Sequence, residues 1–154
     1  MESHLTPQVI GAKPPSVEGT VSSCPDDLLD AAGDHLQLQM LLIEVASSNE
    51  SADFELIIRA YHAADRAHFG QIRRSGEPFL QHCVEVARIL AQLRLDSTTV
   101  AAGLLHDVLE DTSVDAAQIR ADFGAKITGL IDGVTKIERF RYESREARQA
   151  ETFR

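Results

Sequence analysis

The run Leu104 to Thr112, LLHDVLEDT, sets His106 beside Asp107 and follows them with Glu110 and Asp111 where an apolar stretch ends. One imidazole nitrogen and one carboxylate from adjacent positions suit a borderline or hard divalent ion such as Mn²⁺, Fe²⁺ or Zn²⁺. On a helix the two side chains point about 100° apart, so one ion can meet both only beside the helix, with another element completing its shell. His82, in a separate apolar segment, is the candidate third ligand. On residue types alone a plainer alternative stays open, with His82 a satisfied core histidine and Asp107 a helix-end carboxylate.

Glu110 and Asp111 count against the plainer alternative. They lie three and four residues beyond Asp107, on its face of any helix that continues so far. Three carboxylates in one turn repel one another, and at a helix C-terminus they oppose the macrodipole, so a cation or a proton must relieve them. Beside an ion, Glu110 or Asp111 could orient or deprotonate a water. A second group, Arg73 and Arg74 in RRSGEP, precedes His82. Guanidinium groups make charge-assisted, often bidentate contacts to phosphate. Adjacent loop arginines are also common on plain solvated surfaces; nearness in sequence to His82 favours phosphate.

The elements that must position these groups are helical. Leu36, Met40, Ile43 and Ala46 recur at three- and four-residue steps and predict an amphipathic helix of about three turns from His35. A second helix, capped by Ser51 and starting near Asp53, carries Phe54, Ile57 or Ile58, Tyr61, Ala64 and His68 on one face and ends at Gly70. QIRRSGEP reads as a loop, and Pro78 opens a helix whose inward stripe is His82, Val86, Ile89 and Leu93. Asp96 or Ser97 caps the next, in which Val100 to Leu105 are all apolar or small; Ala101, Ala102 and Gly103 would admit a close neighbour. Ser113 or Asp115 caps a short helix ending at Phe123-Gly124, and Ile127, Leu130, Ile131, Val134 and Ile137 form a further stripe. Residues 138–154 read as a charged helix. No β-alternation of useful length and no repeat occurs, so the fold class is all-α.

The 154 residues and 44% hydrophobic content fit one domain. Four prolines (Pro7, Pro14, Pro15, Pro25) among Ser, Gly and Thr predict a flexible leader over residues 1–34, with the helical body over 35–154. A net charge of -9 argues against DNA as a partner, and no apolar run is long enough for a membrane. Cys24 and Cys83 form no CxxC pair, so a reducing cytoplasm is expected. Oligomeric state has no signature here.

Three runs, AHFGQIRRSGEPFLQH (Ala67 to His82), VAAGLLHDVLEDT (Val100 to Thr112) and FGAKITGLIDGVTKI (Phe123 to Ile137), resemble the hydrolase domain of the RelA/SpoT homologue family, which makes and degrades the alarmone (p)ppGpp. The resemblance covers residues 53–154. It implies an HD-type helical bundle that uses Mn²⁺ to remove the 3′-pyrophosphate of (p)ppGpp, giving GDP or GTP plus pyrophosphate in the stringent response. It further implies that His82, His106 and Asp107 are metal ligands and that Glu110 and Asp111 handle the water. Arg73 would lie near the base, Arg74 near phosphates or the acidic pair, and His68 would be structural, bonding the loop.

This sequence departs from the family at Cys83, where a proline usually follows the histidine, so altered local packing is expected with the imidazole kept. The resemblance also implies a fourth ligand, an Asp on a helix beyond Arg154, and a longer bifunctional synthetase/hydrolase of which this hydrolase domain is a part. Two other functions compete: an inactive helical module that binds a nucleotide or a partner, and a phosphohydrolase for another nucleotide.

Overall fold

In the computed structural model, which describes residues 21–152, Pro25 opens a helix instead of breaking one. Helix α1 spans Pro25–Ala32 with proline at its first position, where the missing N–H has no intrahelical partner to lose, and with Asp26 and Asp27 in the first turn. Gly33, at φ 57°, ends it. Leu28 and Ala32 are buried and α1 packs on α2. The expected 1–34 leader therefore does not extend over residues 25–32; residues 1–20 lie outside the described ones.

Helix α2, Leu36–Ser48, forms where expected but turns a different face inward. Leu38, Leu41, Leu42 and Val45 are buried, while Leu36, Met40 and Ile43 are exposed. Its sequence is apolar nearly all round, so two overlapping stripes exist, and the neighbouring helices choose between them. The choice leaves Glu44 at the edge, where it accepts hydrogen bonds from Arg88 Nε and Gln92 Nε2, both at 2.7 Å.

Helix α3, Phe54–Ala67, is capped by Asp53, whose carboxylate accepts from the Leu56 N–H at 3.0 Å; the expected cap, Ser51, lies outside it. Phe54, Ile57, Tyr61, Ala64 and His68 are buried as predicted. Gly70 takes φ 75° in the turn that follows.

Helix α4, Phe79–Gln92, also differs from its predicted stripe: Cys83, Val84, Ala87 and Ala91 face inward, whereas Ile89 and Leu93 are exposed. Small residues win because α4 lies close against α5, Ser97–Leu105. A Cβ added at Gly103 would stand 2.6 Å from Leu90 Cδ1, so the end of that side chain would have to shift, and 3.5 Å from Ala87 Cα, in van der Waals contact with the α4 backbone. Every residue of α5 from Val100 to Leu105 is buried, and Asp96 caps it through the Thr99 N–H.

The one-turn α6, Val108–Asp111, leads to α7, Ala116–Phe123, capped by Asp115, and to the long α8, Ala125–Thr152. Ile127, Ile131 and Val134 of α8 are buried, while Ile137, expected in the same stripe, is 64% exposed. Helix α5 is the hub, contacted by α3, α4 and α8. The described residues form no strand, so the all-α class holds; a single antiparallel bridge pairs Ile72 with Pro78.

Candidate metal and phosphate site

The end of α5 is where the fold exposes chemistry. The last carbonyls of a helix have no intrahelical donor, and here His106 Nδ1 donates to the Gly103 carbonyl at 2.6 Å. A carbonyl can only accept, so Nδ1 carries the proton and, in the neutral ring, the Nε2 lone pair faces away from the helix. His106 is fully buried, and its Nε2 has no aligned hydrogen-bond partner. Asp107, also buried, sets Oδ1 3.2 Å from that nitrogen.

His82 arrives from the edge of α4 facing α5, with Nε2 3.4 Å from Asp107 Oδ2 and its ring 5.3 Å from that of His106. The three residues proposed from sequence as ligands are thus brought to one point. Cys83, beside His82, is fully buried; burial, and then the charges of Asp107 and Glu138, push its thiol well above the usual range.

A fourth group was missed in the sequence. Glu138 of α8 places Oε1 2.6 Å from His82 Nε2 and Oε2 2.8 Å from His106 Nε2, the latter off the axis of a hydrogen bond. The signal was its position, four residues beyond buried Val134 and seven beyond buried Ile131, where the inward stripe continues with a carboxylate in place of an apolar side chain.

The electrostatics of the four groups are interlocked. His106 and His82 hold the Glu138 carboxyl far below the usual carboxylate range. Burial pushes the Asp107 carboxyl up, opposed by His106 and reinforced by the Glu138 charge. Burial alone would lower the His106 imidazole; Glu138 and Asp107 outweigh it and raise it. Two imidazoles and two carboxylates, their donor atoms within 4.8 Å of one another, fit a divalent cation.

Around this floor lies an open cleft of about 720 Å³, rimmed by Arg73, Arg74 and Arg139 and also lined by Asp111 and Tyr142. The arginine loop is tied as a small hairpin: Arg73 N–H donates to the Glu77 carbonyl at 2.7 Å and Gly76 N–H to Arg73 at 2.9 Å. Gly76, at φ 89°, supplies the left-handed turn. His68 is structural, as expected: its Nδ1 is 2.9 Å from Gln71 Oε1 and its ring stacks on Phe79. Gln71 Nε2 in turn donates to the Asp111 carbonyl at 2.9 Å, joining the loop to α6.

The acidic pair divides. The helix breaks at His106 and Asp107 and restarts as α6, yet the Asp111 N–H still donates to the Asp107 carbonyl at 2.9 Å, so Asp107, Glu110 and Asp111 stay clustered. Asp111 lines the cleft. Glu110 is paired with Arg139 of α8 at 2.9 Å.

Residues 60–154 match the family model described as the HD domain. The chain belongs to the HD domain family. This HD domain is 47% identical over 100 residues to the guanosine-3′,5′-bis(diphosphate) 3′-pyrophosphohydrolase of Vibrio cholerae, covering 65% of the chain and 14% of that relative. It is 40% identical over 138 residues to a probable enzyme of the same name from Synechocystis, covering 86% and 18%. It is 42% identical over 113 residues to a GTP pyrophosphokinase of Myxococcus xanthus, covering 71% and 15%. The RelA/SpoT kinship suggested by the three sequence runs is borne out, and the chain spans less than a fifth of the length of these curated relatives. Among the described residues no helix is long and apolar enough to cross a membrane.

Proposed function

We propose that this HD domain hydrolyses the 3′-pyrophosphate of (p)ppGpp to GDP or GTP plus pyrophosphate, using Mn²⁺ held by His82, His106 and Asp107. The observation that carries this is the His106 imidazole, fixed by the Gly103 carbonyl so that Nε2 faces His82 and Asp107 on the floor of an arginine-rimmed cleft. Pyrophosphate is a polyanion that needs cations on two sides, and the cleft offers an ion site below and guanidinium groups above. The names of the Vibrio and Synechocystis relatives give the nucleotide.

When bound, the ion supplies charge neutralisation at phosphate and lowers the pKa of a nearby water. The chain's own residues do the rest. Arg74 grips phosphate oxygens, and Arg73 lies towards the base, for which Ile72 and Tyr142 offer apolar surface in the cleft. Asp111, on the cleft wall, takes a proton from the attacking water, with Glu110 as its acidic partner. The water oxygen joins phosphorus, the bond from that phosphorus to the 3′ oxygen breaks, and the 3′ oxygen takes up a proton as pyrophosphate leaves. Cys24 and Cys83 are both free thiols, which suits the reducing cytoplasm where we place the protein.

A second reading is a nucleotide-binding module without turnover. The pairing of Glu110 with Arg139, and the similarity to a relative named for pyrophosphokinase, favour it. Pyrophosphate release from ppGpp by the complete gene product, with and without Mn²⁺, separates the two. The hydrolase requires Mn²⁺-dependent release that falls at least about a hundredfold in His106→Ala, each tenfold being about 1.4 kcal/mol. Full activity in that variant refutes it, and cleavage of another nucleotide with ppGpp inert would reassign the substrate.

A further inference from the structure

Away from the cleft, a second set of donor side chains converges. His62 and Asp65 stand three residues apart on α3, and so on one face of that helix. His35, at the N-cap of α2, meets them where α2 packs on α3. One ligand atom from each of the three residues lies within 4.8 Å of the other two. The His35 and His62 rings meet edge to face, with centroids 5.1 Å apart and planes at 82°. None of the three lines the arginine-rimmed cleft.

The surroundings hold these groups in place without using up their donor atoms. The His35 backbone is tied on both sides: its N–H donates to the Ala32 carbonyl at 3.3 Å, and its carbonyl accepts from the Gln39 N–H at 3.0 Å. Its ring makes no capping bond to α2, and the Tyr61 hydroxyl, 3.4 Å from Nδ1, is too distant to hold it firmly. Among the described residues no side chain makes a hydrogen bond or ion pair with part-buried His62 or Asp65. Burial, and then the Asp65 charge, push the Tyr61 hydroxyl up to about 12, so Tyr61 stays a neutral phenol and does not compete as a ligand. Burial, with His35 and Arg66, lowers the His62 imidazole against the pull of Asp65, which leaves the ring neutral, with a free lone pair, at neutral pH.

Two imidazoles and one carboxylate are a donor set for a borderline divalent ion, and three protein ligands leave a tetrahedral ion one position for water. Bonds of about 2.0–2.2 Å need ligand atoms roughly 3.4 Å apart. Rotation of the exposed His35 side chain can supply that closure.

We propose that His35, His62 and Asp65 form a second divalent-ion site, of zinc type, that ties the start of α2 to α3. It stands independently of any reading of the cleft. Calorimetric titration of the full chain with Zn²⁺, with the melting midpoint followed in parallel, tests it. The parent should bind one more equivalent of Zn²⁺ than His62→Ala, and Zn²⁺ should raise its melting midpoint by more. Asp65→Asn should weaken binding of that equivalent at least tenfold. His35→Ala, a change at an exposed position, is judged by the same missing equivalent if His62→Ala does not fold. His82→Ala, which alters the floor of the cleft, should keep the equivalent that His62→Ala loses. Equal stoichiometry and affinity in the parent and the His35, His62 and Asp65 variants overturns the proposal. So does a parent that takes up no Zn²⁺ beyond what His82→Ala removes.

Discussion

The floor and the rim of the cleft are built on opposite plans. His106 is fully buried, Asp107 nearly so, and their geometry is fixed by helix α5, whose residues from Val100 onward are all buried. Arg73 and Arg74 stand on a short hairpin, with Glu110 and Asp111 exposed on a one-turn helix. On the floor, burial holds His106 and Asp107 to one arrangement, whereas the rim is open to solvent and is held by the backbone hydrogen bonds of its hairpin, by the Gln71 bond to α6 and by the Glu110–Arg139 pair.

The largest expected effect attacks the floor. Asp107→Asn keeps shape but removes the charge facing both imidazoles, and Mn²⁺ affinity should drop about a hundredfold or more by calorimetry. Parent-like affinity would end the distinction between floor and rim.

Packing behind the floor comes next. Gly103→Val places branches against Ala87 and Leu90 and should cost roughly 1–3 kcal/mol in denaturant unfolding. In Gly103→Ala the first contact is the mobile end of Leu90, and helix propensity returns up to about 1 kcal/mol, so its loss should be smaller. Equal losses would show that α4 and α5 are not closely fitted.

A rim substitution should do the reverse. Arg74→Ala is expected to raise KM for ppGpp about tenfold, equivalent to about 1.4 kcal/mol, while moving stability by less than about 0.5 kcal/mol. A large melting shift with unchanged KM would make the arginine structural.

The smallest effect calibrates the others on a pair remote from both regions. Burial alone would raise the Glu44 carboxyl, but hydrogen bonds from Arg88 and Gln92 outweigh it, and its pKa lies below the usual carboxylate range. A lowered folded-state pKa adds stability that is present above the unfolded value and is lost as pH falls through the folded one. Glu44→Gln should therefore cost up to about 1 kcal/mol at neutral pH, and parent and variant unfolding curves should converge in acid. A gap that persists below the carboxylate range would contradict the ion pair.

How far the sequence could be read depended on whether each segment offered a choice. In α5 every residue from Val100 to Leu105 is apolar or small, so burial was legible without knowing the neighbours. In α2 Leu36, Met40 and Ile43 compete with Leu38, Leu41, Leu42 and Val45, and only packing against α1 and α4 decides. In α4 the small residues face inward because closeness to Gly103 outweighs the size of Ile89 and Leu93, a tertiary fact. Pro25 falls in a stretch whose Pro, Ser, Gly and Thr content predicts a flexible leader, whereas its position in the first turn makes it a helix start. Donor chemistry made His82, His106 and Asp107 candidates but left a core-histidine alternative open, and it was the resemblance of three runs to one family that joined them as a set. Glu138 was not legible, since a carboxylate at a stripe position carries no mark until the helix phase is known.

Gly103 joins two properties that are usually assigned separately. Its missing side chain sets the distance between α4 and α5, and its carbonyl sets which nitrogen of His106 bears the proton. Replacing Gly103 alone leaves its backbone carbonyl in place, so a change at the imidazole can follow only if the added side chain shifts α5 against α4. Pairing Gly103→Ala with Leu90→Ala relieves the contact while leaving the carbonyl in place, so the double-mutant cycle separates interhelical spacing from proton bookkeeping at the imidazole. The spacing of two helices and the tautomer of a histidine thus meet at one backbone position.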